Sequence, residues 1–145
     1  MKDLHSGMKL VNLIGAAALA ADNTPAAVDR AGYESVEIVL SIGAGGITFS
    51  GTNKVEFVLT HSDDDSTYTH VATADMIGAG AVTSGIIKSL VAAHATATPY
   101  RFGYIGGKRY LKLLADFSGT HGAATPIAAV AVLGDPLNEP VADQA

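Results

Sequence analysis

The sequence predicts an all-β domain, a two-sheet β-sandwich of the jelly-roll kind with about eight strands and extended N- and C-terminal tails. Three observations carry that prediction. Apolar residues alternate with period two over most of the chain, and the alternating runs recur at short spacing with Gly, Asn, Asp and Ser between them. No stretch shows sustained helical periodicity with caps. A transposed-topology sandwich or a Greek-key barrel satisfies the same pattern.

The elements follow in order. Met8–Ile14 is a first apolar run, and Ala16–Ala21 has the composition for a helical turn. Val36, Ile38, Leu40 and Ile42 share one face of a strand, opposite Ser35, Glu37 and Ser41. Val55, Phe57 and Leu59 alternate with Lys54, Glu56, Val58 and Thr60 in the next. Between these two, Gly43–Gly46 and Ser50–Asn53 supply turn residues around a strand-like Ile47-Thr48-Phe49. Ser62–Ser66 reads as a polar hairpin loop and Thr67–Val71 as its returning strand. Thr73–Ala81 allows one helical turn before Gly78 and Gly80 stop it. Ile86–Val91 is a further strand. Tyr100–Ile105 and Lys108–Leu114 flank Gly106-Gly107, which predicts a tight hairpin because both central residues can take positive φ. Pro126–Leu133, apolar at every position, reads as a strand buried on both faces.

A chain of 145 residues is one domain's length. We divide it into an N-terminal arm (1–7), a sandwich (8–134) and a C-terminal tail (135–145) in which Pro136 and Pro140 favour extended backbone. Such a tail frays or docks on a partner, and Leu137 and Val141 give it apolar residues for docking.

Composition removes several function classes. Charged residues make up 16% of the chain, below the usual ~25%, while 48% are hydrophobic. That bland surface suits a protein that rests against another. The net charge of −5, with 9 Lys+Arg against 14 Asp+Glu, lacks the basic face that displaces counterions from nucleic-acid phosphates or anionic lipid. There are no cysteines, so disulfide scaffolds, thiol catalysis and cysteine-ligated zinc are excluded. Met8–Ala21 has the outline of a secretory signal, with Ala18 and Ala20 in an A-x-A arrangement. Asp3 and Asn12 spoil its basic and apolar regions, and it is shorter than the ~20 residues of a membrane helix.

Catalysis needs convergent groups, and the sequence offers few. His5, His61, His70, His94 and His121 show no metal-ligand spacing. His61 and His70 lie at opposite ends of the expected hairpin, with Asp63, Asp64 and Asp65 between them. This set admits a metal patch or a weak cation site, but also a solvated turn whose Asp side chains cap their own backbone amides. The turn is the expected state. Gly43–Gly46 precedes a strand-like segment where a phosphate loop would open a helix. Neither Ser84-Gly85 nor Ser118-Gly119 belongs to a nucleophile motif. No enzymatic activity, metal or cofactor is expected. Tyr100, Phe102, Tyr104 and Tyr110, interleaved with Arg101, Lys108 and Arg109, fit cross-strand pairs or an interface anchor, and the acidic balance disfavours base stacking.

Four segments taken together carry a resemblance: Leu4-His5-Ser6, Asp29–Glu37, Tyr104–Tyr110 and Ala129–Pro136. In their order and spacing they resemble the small proteins encoded beside the major capsid protein of tailed bacteriophages, in particular jelly-roll cement or decoration proteins. The resemblance implies a virion protein, made in the host cytoplasm, on the capsid exterior. It would commonly be a homodimer and would clamp neighbouring major capsid protein subunits, with no nucleic acid, membrane or small-molecule substrate. We place its capsid or dimer contacts at Lys2, Leu4, His5, Lys108, Arg109, Tyr110, Pro136, Leu137, Pro140 and Val141. The alternatives are a tail or head-completion component, or a secreted or periplasmic β-sandwich binding module. A hydrolase assembled from His61, His70 and Asp63–Asp65 is a third.

Overall fold

The structure is a computed structural model that describes residues 3–145. Its strands are β1 (Met8–Leu19), β2 (Val28–Asp29), β3 (Tyr33–Ile42), β4 (Lys54–Ser62), β5 (Thr69–His70), β6 (Met76–Ile77), β7 (Ile86–Leu90), β8 (Thr98–Tyr104), β9 (Tyr110–Ser118) and β10 (Thr125–Pro136). Single 3₁₀ turns span His5–Gly7 and Thr73–Asp75. Two antiparallel sheets form. Sheet A has the order β1-β10-β3-β8-β6; in sheet B, β2-β9-β4 is completed by β5 and β7, which pair with successive parts of the same β4 edge. Without the two-residue β5 and β6, the orders β1-β10-β3-β8 and β2-β9-β4-β7 are those of an eight-stranded jelly roll. The expected fold class is the one observed.

The core lies between the sheets. Val36, Ile38, Leu40 and Ile42 of β3 and Val55, Phe57 and Leu59 of β4 point into it, as their alternation requires. Leu111, Leu113 and Ala115 of β9 face them, with Ala129, Ala131 and Leu133 of β10. The signal-like run is β1, an edge strand that contributes Leu13 and Ile14 to this core, and it stays extended through Leu19 where a helical turn was expected.

Four expectations need correction. The Gly106-Gly107 segment is not a hairpin, because β8 belongs to sheet A and β9 to sheet B. Both edges of each strand are already taken, β8 by β3 and β6 and β9 by β2 and β4, so the chain crosses the sandwich instead. Gly107 has φ +77°, and a Cβ on Gly106 would lie 2.8 Å from the Tyr104 ring and 2.9 Å from Asp75 Oδ1, so the glycines serve a close crossing. Second, Ile47–Phe49 forms no strand, although Phe49 is buried. Third, the returning strand after Ser62–Ser66 is reduced to Thr69–His70. Fourth, β10 is not covered on both faces. Its burial alternates, with Thr125, Ile127, Ala129, Ala131 and Leu133 inside and Ala128, Val130 and Val132 only partly covered.

Candidate protein-binding surfaces

The jelly-roll pairing gathers the expected contact residues at one end of the sandwich. There β1 begins beside the end of β10, β10 ends beside the start of β3, and β3 starts beside the end of β8. Lys2 lies outside the described residues. Leu4 and His5 stand in the turn before β1, where the Asp3 carboxylate accepts the His5 and Ser6 amides.

The tail lies back on its own chain. Leu137 N–H donates to Gly32 O (2.9 Å) and Val141 N–H to Ser6 O (2.9 Å). His5 Nε2 and Asp143 Oδ1 lie 2.8 Å apart. The Gln144 side-chain amide acts as a strand segment on the β1 edge: its Oε1 accepts from Leu10 N–H and its Nε2 donates to Leu10 O, both at 2.8 Å. Asp135 and Pro136, assigned to the tail from sequence, are the last residues of β10, with Pro136 paired to Tyr33.

Beside the tail, Lys108, Arg109 and Tyr110 form a corner. Arg109 donates two hydrogen bonds of 2.8 Å to the Asp29 carboxylate and stands over the Tyr110 ring at 4.9 Å. Lys108 Nζ is 3.8 Å from Asp63 Oδ2. The Arg109 guanidinium holds the Asp29 carboxyl down to about 2. A carboxylate with a depressed folded pKa adds stability that is present above its unfolded value near 3.8 and is lost as pH falls through about 2. Arg109→Gln is therefore expected to flatten the fall in denaturant midpoint between about pH 4 and 2. The side chains are 43% and 51% exposed, so the difference should be small and should shrink with added salt. An unchanged acid slope in the variant would show that the pair does not carry it.

His61, His70 and the Asp63–Asp65 triplet do not converge on one site. His61 is buried and points between the sheets, whereas His70 pairs with Thr60 and is exposed. The triplet is a turn: Asp64 Oδ1 accepts from the Thr67 and Ser66 amides and from the Ser62 hydroxyl, and these bonds hold its carboxyl at about 2. Among the described residues, no three His, Asp or Glu side chains are grouped as metal ligands.

Sequence reading missed the buried partner of His61. The Tyr104 hydroxyl lies 2.8 Å from His61 Nδ1 and accepts the Lys108 amide at 3.0 Å. The hydroxyl thus bridges the His61 imidazole and the Lys108 amide. Burial lowers the His61 pKa, so the ring is held neutral.

The second missed feature is the outer face of sheet A. Along β10, Pro126, Ala128, Val130, Val132 and Gly134 alternate with the core positions and so point outward, without a charged or hydrogen-bonding side chain among them. Leu10 of β1 lies beside Val132, and Val39 of β3 beside Val130. The outer face of sheet B is more charged, with Lys54, Glu56, Lys112 and Asp116 on β4 and β9 flanking the apolar Val58–Leu114 pair. The signal was in the sequence, since an uninterrupted apolar run needs cover on both sides. No protein-family model, curated protein or solved structure matches the chain.

Proposed function

We propose that this chain is a structural virion protein that binds the outside of a tailed-phage capsid and cements neighbouring major capsid protein subunits. It works by surface contact rather than by catalysis. The observation that carries this reading is the apolar end of the sandwich. Leu4, Leu137 and Ile105 are 74%, 66% and 61% exposed, and all three stand at the end where the arm, the tail and the Lys108–Tyr110 corner converge. Exposed large apolar side chains rimmed by Arg and Tyr are the chemistry of a protein contact. A rigid sandwich with contacts spread over an arm, a tail and a corner can touch two subunits at once, and the first contact raises the effective concentration for the second. The place of the signal-like run in sheet A supports a chain that keeps this segment, because losing β1 would take Leu13 and Ile14 out of the core and leave the β10 edge unpaired.

The test is the copy number of this chain relative to the major capsid protein in purified virions. Similar numbers support the reading, and traces or none overturn it. A variant ending at Pro136 should keep its fold, because the tail's hydrogen bonds are at the exposed surface. It should lose capsid affinity by about tenfold, the equivalent of ~1.4 kcal/mol. Unchanged occupancy would remove the tail from the contact.

A further inference from the structure

We infer that the Asp135–Pro136 peptide bond is a site of self-cleavage, at which the Asp135 carboxyl cuts the chain after itself and separates Pro136–Ala145 from the sandwich. The inference concerns the covalent chain and stands or falls separately from the capsid reading.

Of the chain's prolines, Pro136 alone follows an aspartate. In such a pair the side-chain carboxyl reaches its own main-chain carbonyl carbon through a small ring. The proline nitrogen, part of a tertiary amide, accepts a proton and leaves more readily than an ordinary peptide nitrogen.

The fold strains this bond. Asp135 has φ +49° although it lies within β10, where the backbone is otherwise extended. Among the described residues, the other non-glycine positions at positive φ are Asp65 and Ser84, which stand in a bend and a turn where that conformation redirects the chain. A proline pushes the residue before it toward extended backbone with negative φ, so Asp135 holds a conformation that its successor opposes. Pairing on both sides keeps it there. Gly134 is paired to Ser35 and Pro136 to Tyr33, and Leu137 N–H donates to Gly32 O one residue further on. By register Asp135 falls opposite Glu34, but the two are not paired.

The attacking group is also available. Asp29, Asp64 and Asp143 are tied to Arg109, to turn amides and to His5. Asp135 is exposed, and its carboxylate has no such partner among the described residues.

The step balances with water as its one co-reactant. A side-chain Oδ of Asp135 bonds to the Asp135 main-chain carbonyl carbon, and the carboxyl proton passes to the Pro136 nitrogen. The C–N bond breaks with its electron pair on that nitrogen, giving a cyclic anhydride at Asp135 and the free secondary amine of Pro136. Water then opens the anhydride and leaves Asp135 as a C-terminus with both carboxyl groups. Attacker and target belong to one residue, which makes the attack intramolecular, and breaking the bond lets Asp135 relax. Each chain reacts once.

Cleavage leaves the tail held by hydrogen bonds at the exposed surface, from Leu137 to Gly32, Val141 to Ser6 and Gln144 to Leu10. Its departure would open the β1 edge at Leu10 and strip Leu137 and Val141 from this end of the sandwich.

The experiment is intact-mass spectrometry of the purified full chain during incubation in mildly acidic buffer with protease inhibitors. Met1–Asp135 and Pro136–Ala145 should appear in equal amounts, and excess hydroxylamine should trap the anhydride as a hydroxamate on Asp135. Asp135→Asn, which tolerates positive φ, should melt like the wild type and stay intact. Asp135→Glu, whose ring closure is larger, should be cut more slowly. The wild type unfolded in urea at the same pH should be cut about tenfold more slowly than the folded chain, because the strain is gone. An uncut wild type, equal rates in the folded and unfolded chain, fragments without the hydroxamate, or undiminished cleavage in Asp135→Asn would each overturn the inference.

Discussion

Phe57→Ala is expected to destabilise the domain by about 4 kcal/mol, a large share of the ~5–15 kcal/mol by which folded domains are stable. Phe57 is fully buried at the middle of β4, the strand that pairs with β9 on one side and with β5 and β7 on the other. Its cross-strand neighbour on the same inner face is Ala115, also fully buried, so the ring fills space that the small residue leaves open. Truncation removes the transfer energy of the ring and leaves a cavity that paired strands on both sides cannot close. For a chain of this length the loss corresponds to a Tm lower by about 10–15 °C. Val130→Ala, on the outer face of sheet A, should cost the isolated domain less than about 1 kcal/mol. Equal losses from the two substitutions would mean that the inside and outside of the sandwich are wrongly assigned.

Legibility of the fold followed the range of the interactions that make it. β3 and β4 could be read because each is buried on one face, so Val36–Ile42 and Val55–Leu59 announce both strand and orientation. Gly106-Gly107 marked a break between two strands, but the hairpin read from it fails, because β3 and β4 hold the edges of β8 and β9 and the chain passes between sheets. Local sequence carries nothing about that. The tail was ambiguous for a similar reason, since Gln144 and Leu10 are 134 positions apart. β10 failed in a more informative way. Its unbroken apolar run states that both faces avoid water, and a single chain cannot say whether its own layer or another molecule covers the second. Lys108, Arg109 and Tyr110 could be singled out by residue type. Their union with Leu4 and Leu137 at one end arises only when β1, β10, β3 and β8 pair.

Tyr104→Phe should cost about 2–3 kcal/mol, although it removes one oxygen atom. The hydroxyl joins the two sheets: Tyr104 belongs to β8 in sheet A, His61 to β4 in sheet B, and Lys108 to the crossing between β8 and β9. Phenylalanine would keep the edge-on packing of the two rings, now 5.8 Å apart at 81°, but would strand the buried His61 Nδ1 and the Lys108 amide. Orphaned buried polar groups cost about 1–3 kcal/mol each, and the amide can recover part of that from water at the loop. The same site sets a pH dependence. Burial is the largest influence on His61 and lowers its pKa; Lys108 acts in the same direction, while Asp75 and Asp63 oppose them. A histidine whose folded pKa lies below its unfolded value of 6.5 stabilises the fold fully above that value. That contribution falls away as pH drops below 6.5, because the unfolded chain then binds the proton that the folded one refuses. Denaturant midpoints should therefore be flat from neutral pH down to about 6.5 and decline below it, with the decline much reduced in His61→Gln. His5, whose pKa is raised by Asp143, works with the opposite sign, since its pairing is retained at low pH and lost as pH rises. The comparison between wild type and His61→Gln cancels it. If the variant keeps the full decline, the proton is taken up elsewhere and the neutral His61–Tyr104 bond is not what acid breaks.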